Sequence, residues 1–279
     1  MRRALAAVLL VLLMGCGPDL RGLESGERGR VAEIVDGDTL ALEGGLRVTL
    51  TGVEAPYGAA PYAREARAAL ERLALGRPAH LAYGGLKRIP RRAPQTANGD
   101  AAETRPETAL AQVFVQSEGG RWLWLQRALV AEGAAWVRTR RDNAARAPDL
   151  LAVEAEARRA RRGLWALTEY RVRTPAALAA EAADLPDDCR KRGAPFRIVE
   201  GGVTDVRESP RRVALSLGRG QDAPQIVVFG AAVEAWRAEG PAFASYKDQR
   251  VRAHGPAENR RGQHLCVDNP AQIELLSAP

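Results

Sequence analysis

The chain has 279 residues, 46% of them hydrophobic, 27% charged and only 5% aromatic, with 41 basic against 34 acidic side chains and a formal net charge of +7. That length and apolar content exclude a mostly disordered chain and a polytopic membrane protein, and allow one large core or two modest ones. The basic excess is mild and falls on arginine, with Lys87, Lys191 and Lys247 the only lysines, so charge alone does not make this a chain that coats nucleic acid.

Arg2 and Arg3 precede an apolar run over residues 4–14, too short to span a bilayer and suited to the core of a signal peptide. The run ends in Leu13-Met14-Gly15-Cys16, which resembles the bacterial lipobox; an ordinary secretory signal with an incidental cysteine is the other reading. The lipobox reading predicts that residues 1–16 form a lipoprotein signal and that the Cys16 thiol is acylated. It also predicts that the membrane is a partner through that lipid, with the mature chain a periplasm-facing lipoprotein of the bacterial cell envelope. Residues 17–27, with Pro18, Gly22, Ser25 and Gly26 among charges, are expected to be a tether.

A globular unit is expected over 28–170. Val31–Val35 and Thr39–Leu42 flank Asp36-Gly37-Asp38, and 46–51 follow Gly44-Gly45, which predicts three strands in a meander with Val48 and Leu50 on one face. Ala63, Ala66, Ala69, Leu70 and Leu73 repeat at helical spacing until Gly76 and Pro78. Residues 80–83 and 109–115 read as a fourth and a fifth strand, separated by a long, basic, proline-containing connection over 84–107. Helices are expected over 123–132, before Gly133, and over 149–162, before Gly163. Trp122, Trp124, Trp136, Trp165 and Trp236 suit core packing on helices or domain ends.

Residues 171–192 are alanine- and charge-rich, with a short helical pattern at 176–183, and read as a linker. From 193 to 279, short alternating segments at 196–200, 203–206, 212–217, 225–229, 249–253 and 272–276, with one helix near 231–239, predict a small β-rich domain. Cys189 and Cys266 remain after Cys16 is set aside. In an oxidising compartment an even number reads as one structural disulfide, with two free buried thiols as the alternative. Zinc is not expected, because His80, His254 and His264 are scattered and no CxxC spacing occurs.

Five strands in a closed meander, with helices after the third and fifth, match a five-stranded OB-type barrel with three helices. The fold class is therefore α+β, mainly β, with the small β-rich domain added. Val35-Asp36-Gly37-Asp38-Thr39, Gly52-Val53-Glu54-Ala55-Pro56, Leu110–Val115 and Gly163-Leu164-Trp165 stand in the order of the staphylococcal-nuclease-like, or thermonuclease, family, and this resemblance covers about residues 28–167. The segment beyond resembles the β-rich C-terminal extension of some bacterial relatives.

Active members of that family bind one calcium ion and cleave DNA and RNA, which implies a carboxylate pair for the metal, a carboxylate general base and guanidinium groups for the phosphoryl transition state. By the resemblance, Asp38 holds the first metal position and Glu54 the second, where an aspartate is usual. Ala55 follows where relatives have a hydroxyl or small residue. The two arginine positions hold Thr49 and Thr108, and the general-base position holds Tyr57, a phenol whose ordinary pKa of about 10 disqualifies it near neutrality. Losing one oxyanion-type donor alone costs about 10²–10³ in rate. Groups that could substitute are Arg47, Arg105 and, for the base, Glu65.

The expected function is a family member that has lost catalysis. It would act as an OB-type binding module for single-stranded nucleic acid or an envelope protein, with Arg47, Tyr57, Arg64 and Tyr83 on the ligand face and calcium weakly held, if at all. The alternative is a calcium-dependent phosphodiesterase with relocated catalytic groups.

Overall fold

A computed structural model describes residues 17–89, 108–189, 194–220, 222–260 and 262–276. The signal segment with Cys16, and Arg105 with most of the basic connection, lie outside the described residues.

The first unit opens with β1 (Glu24–Ile34), β2 (Thr39–Leu42), β3 (Arg47–Leu50) and β4 (Gly52–Glu54), followed by α1 (Ala63–Ala74), β5 (Pro78–Tyr83), β6 (Arg88–Ile89) and β7 (Thr108–Gln116). It ends with β8 (Trp122–Trp124), α2 (Leu125–Glu132), β9 (Trp136–Arg138) and α3 (Ala147–Arg159). Strands run in the order β3-β2-β1-β5-β7, and β7 pairs in parallel with β3, so five strands close into a barrel. Leu40, Val48, Leu50, Leu81 and Val113 fill its interior with almost no exposure. The amphipathic α1 buries Ala66, Leu70, Leu73 and Ala74 against that core.

Several boundaries differ from the sequence reading. β1 starts at Glu24, inside the expected tether, and Glu24 and Ser25 pair with Tyr83 and Ala82. Residues 24–30 carry no apolar alternation because they are mostly exposed, so only pairing reveals them as strand. Trp122, Trp124 and Trp136 lie on strands rather than helices, and β4 leaves the barrel to pair with β9, placing Glu54 opposite Trp136. Gly133 and Gly163 touch backbone to backbone: a Cβ on Gly133 would sit 2.2 Å from the Arg162 carbonyl oxygen, which explains why the turn before Leu164 and Trp165 needs glycine on both sides.

The expected linker is packed. α4 (Pro175–Ala180) buries Leu178 completely, and Arg173 exchanges backbone hydrogen bonds with Ile198 and Glu200. The second unit then follows as β10 (Phe196–Gly202), β11 (Asp205–Ser209), β12 (Arg212–Ser216), β13 (Gln225–Phe229), α5 (Ala231–Glu239), β14 (Arg250–Asn259), β15 (Gln263–Val267) and β16 (Ile273–Leu275). Its strand order is β10-β14-β15-β13-β12-β11, with β16 on β14 and a core around Trp236, Val251 and Leu265. The sequence reading missed β15. Cys189 and Cys266 form a disulfide.

The two units share a buried seam. Trp136, Trp165, Leu164 and Ile198 pack together, and Trp136 stacks with Phe196 at 5.9 Å between ring centroids. Beside them runs a chain of charges. Glu154 on α3, fully buried, accepts from the Val137 N–H at 2.7 Å and pairs with Arg158. Across the seam Arg158 faces Glu274 at 3.8 Å, and Glu274 meets His254 at 2.8 Å and Arg252 at 3.3 Å.

Candidate functional site

The Asp36-Gly37-Asp38 turn joins β1 to β2 and sets Asp38 against the loop after β4. A Cβ on Gly37 would lie 2.6 Å from the Ala55 methyl, so this close approach requires glycine. Asp38 is half-buried; its Oδ2 accepts from the Ala55 N–H at 3.0 Å and its Oδ1 from the Thr39 hydroxyl at 3.1 Å. Thr39 pairs with Thr49 on the neighbouring strand β3, their hydroxyls 3.4 Å apart, so the first arginine position does lie beside Asp38. Burial, opposed by the Ala55 hydrogen bond and reinforced by the negative charge of Asp36, pushes the Asp38 carboxyl up to about 7.

That shift has a testable sign. A carboxyl raised in the folded state binds a proton that the unfolded chain releases, so its contribution is fully present below about pH 4 and is lost as pH rises through about 7. Asp38→Asn, which keeps an oxygen for the Ala55 N–H, is therefore expected to stabilise the protein at pH 8 and flatten the profile between those values. Urea midpoints against pH would check this, and a parent profile that does not fall across that window would refute it.

Glu54 and Tyr57 sit differently. The β4–β9 pairing brings Arg138 across to Glu54, and the two side chains form an ion pair; the guanidinium also lies 5.5 Å from the Phe196 ring centroid. Tyr57 is 54% exposed. Both residues line two clefts at the junction of the units, one of about 1320 Å³ and one of about 520 Å³. The larger is walled by Arg138 and Arg140 from the first unit and by Arg211, Arg212, Phe229 and Arg260 from the second. Acidic groups lie there too, including Asp268 and the buried Glu258. Phe229 is 41% exposed, with Arg212 at 5.8 Å from its ring centroid.

The other expected residues are not brought to this cleft. Arg47 pairs with Thr108 across the β3–β7 seam, so a relocated arginine faces the second arginine position, but neither lines these two clefts. Arg64 and Glu65 are exposed in the first turn of α1. Tyr83, expected on the ligand face, is 6% exposed: its hydroxyl donates to Glu27 and accepts from Arg88 at 2.5 Å, and Arg88 lies at 5.5 Å from its ring centroid. Burial and the Glu27 hydrogen bond push this phenol up to about 12. A ring so engaged offers no stacking surface, which corrects that expectation. Arg138, Arg140, Arg211, Arg212 and Phe229 were missed; the Arg-Thr-Arg-Arg run at 138–141 and the Arg211-Arg212 pair were the available signals.

Calcium takes six to eight oxygen ligands. Of the donors the resemblance implies, Asp38 has both oxygens engaged and a carboxyl poised to protonate near neutrality, Glu54 is neutralised by Arg138, and Ala55 carries no hydroxyl. This set does not fit a calcium ion, because placing one beside Glu54 would first require displacing a guanidinium.

The family model for staphylococcal nuclease homologues matches residues 47–167, from the start of β3 to just past Trp165. No curated protein matches the sequence. The matched region carries three barrel strands and the helices α1, α2 and α3, and β1 and β2 complete the closed five-strand barrel around them. Residues 47–167 thus form a domain similar to the staphylococcal nuclease homologues, with a second β domain packed beside the face where Glu54 and Tyr57 lie.

Proposed function

We propose that the chain is a non-catalytic member of its family, a binding module that takes single-stranded nucleic acid in the cleft between its two domains. One observation carries the reading. Among the described residues the exposed Phe, Tyr and Trp side chains are Tyr57 and Phe229, and both line this one cleft among its arginines. Exposed rings interleaved with guanidinium groups are what a flexible strand of bases and phosphates needs, since every base has a face to stack and the backbone is anionic throughout. The same position that carries a general base in active relatives thus supplies a stacking ring here. Thr49 and Thr108 leave the phosphate without its two expected cations, and Arg138 occupies the second metal carboxylate.

The test joins two readouts on the soluble chain. A labelled single-stranded oligonucleotide should bind by fluorescence anisotropy, with affinity falling as salt rises by a logarithmic slope of about −0.7 per phosphate contacted. Heat-denatured DNA and RNA should release no acid-soluble nucleotide with calcium, magnesium, manganese or chelator. Release that is lost on Asp38→Ala would overturn the reading in favour of a nuclease with relocated groups. Absence of binding to any oligonucleotide would instead point to an envelope protein as the partner.

A further inference from the structure

The second domain gathers into one corner of the large cleft four side chains that lie far apart in sequence. Glu258 on β14 pairs in register with His264 on β15, so the two share a face, and Cys266 stands two residues further along that same face. Cys189 reaches the corner from the segment before β10 through the disulfide, with the two Cα atoms 6.3 Å apart. Both sulphurs and a Glu258 carboxylate oxygen lie within 4.8 Å of one another. Glu258 is 3% exposed; its Oε2 accepts from the Cys189 N–H at 2.7 Å and its Oε1 is 3.1 Å from His264 Nδ1. All four residues line the cleft.

A disulfide is uncharged and asks nothing of a neighbouring carboxylate, whereas burying that carboxylate is costly. Two thiolates beside a carboxylate are a different matter, because together they form a soft, anionic donor set of the kind that selects zinc over calcium or magnesium. We propose that the reduced form of this corner is a zinc-class metal site, with Cys189, Cys266 and Glu258 as the protein ligands, His264 orienting the carboxylate, and the fourth position open to the cleft. A dithiol reductant opens the site: its two thiols pass two electrons and two protons to the disulfide, giving two cysteine thiols and the reductant's own disulfide. Metal binding then expels both cysteine protons to solvent. Tetrahedral geometry with Zn–S of about 2.3 Å sets the sulphurs about 3.8 Å apart, a separation this corner accommodates once the S–S bond is broken. Spacing in the sequence argued against zinc, since no CxxC occurs; the β14–β15 register supplies the proximity instead.

The test uses the full chain, reduced with a phosphine, freed of reductant without air and titrated with cobalt(II). One equivalent should bind with a thiolate-to-cobalt charge-transfer band, which zinc displaces, and zinc should raise the melting temperature of the reduced chain. The oxidised chain and Cys266→Ser should show no band. His264→Ala should weaken binding about 10- to 100-fold, the range for loss of a group that orients a metal ligand, with Glu258→Gln weakening it further. Asp38→Asn should bind cobalt as the parent does, which separates this site from the barrel. The proposal is overturned by a reduced chain that keeps its far-ultraviolet spectrum and gives no band, by a reduced chain that loses β structure and does not regain it with zinc, or by an undiminished affinity in Glu258→Gln.

Discussion

Replacing Arg158 with methionine should lower the stability of the protein by about 3–5 kcal/mol, the cost of stranding a buried charge by removing its partner. Glu154 is fully buried beside it and keeps the Val137 N–H as its hydrogen-bond donor once the guanidinium is gone, with His254 Nδ1 3.9 Å away, while Glu274 loses a cation across the seam. The guanidinium of Arg158 also lies over Trp165, its central carbon 5.7 Å from the ring centroid, a cation–π contact that methionine cannot make. The double variant Arg158→Met with Glu154→Gln should recover most of the loss, since the amide oxygen can still accept from Val137 and no lone charge remains. Urea unfolding followed by circular dichroism measures both. A loss below 1 kcal/mol in the single variant, or no recovery in the double, would show that this network does not hold the two domains together.

The second large effect concerns the ligand. Base stacking on an aromatic side chain contributes about 1–3 kcal/mol, so Tyr57→Ala and Phe229→Ala should each weaken single-strand binding roughly 5- to 150-fold. Both residues are exposed, so neither change should lower stability appreciably. Changes at Arg211 or Arg140 should act differently, reducing the salt slope by about one contact each and weakening all sequences alike. Tyr83→Phe, which removes only a buried hydroxyl, should leave binding unaltered. If Tyr57→Ala and Phe229→Ala bind as the parent does while Arg47→Ala or Arg64→Ala does not, the ligand lies on the barrel face and not in the cleft.

How far the sequence could be read depended on whether the deciding contact was local. α5 lies where one helix was expected near 231–239. The barrel strands β2, β3, β5 and β7 were legible because one face of each is apolar and turn residues flank them. The Glu24–Arg30 half of β1 was not, because it is defined by hydrogen bonds to β5 rather than by burial of its own side chains. In the candidate site, Asp38 and its turn announced themselves as a motif. The Glu54–Arg138 pair spans 84 positions and exists only because β4 leaves the barrel to join β9. Tyr83 looked like a surface platform because a strand-end tyrosine gives no local sign of the Glu27 and Arg88 that enclose it. The cleft belongs to neither domain alone, and no motif within either one encodes it.

The span of the disulfide bears on how this protein survives in the presence of proteases. Cys189 and Cys266 lie 77 positions apart, and every strand from β10 to β15 begins between them. A single cut in any loop of that interval, such as the glycine-containing turn between β12 and β13, leaves both pieces covalently joined. Such a nicked molecule would run as one species on a non-reducing gel and as two after reduction. Its second domain would stay assembled, because the β12–β13 and β13–β15 pairings hold the pieces against one another while the bond keeps them from diffusing apart.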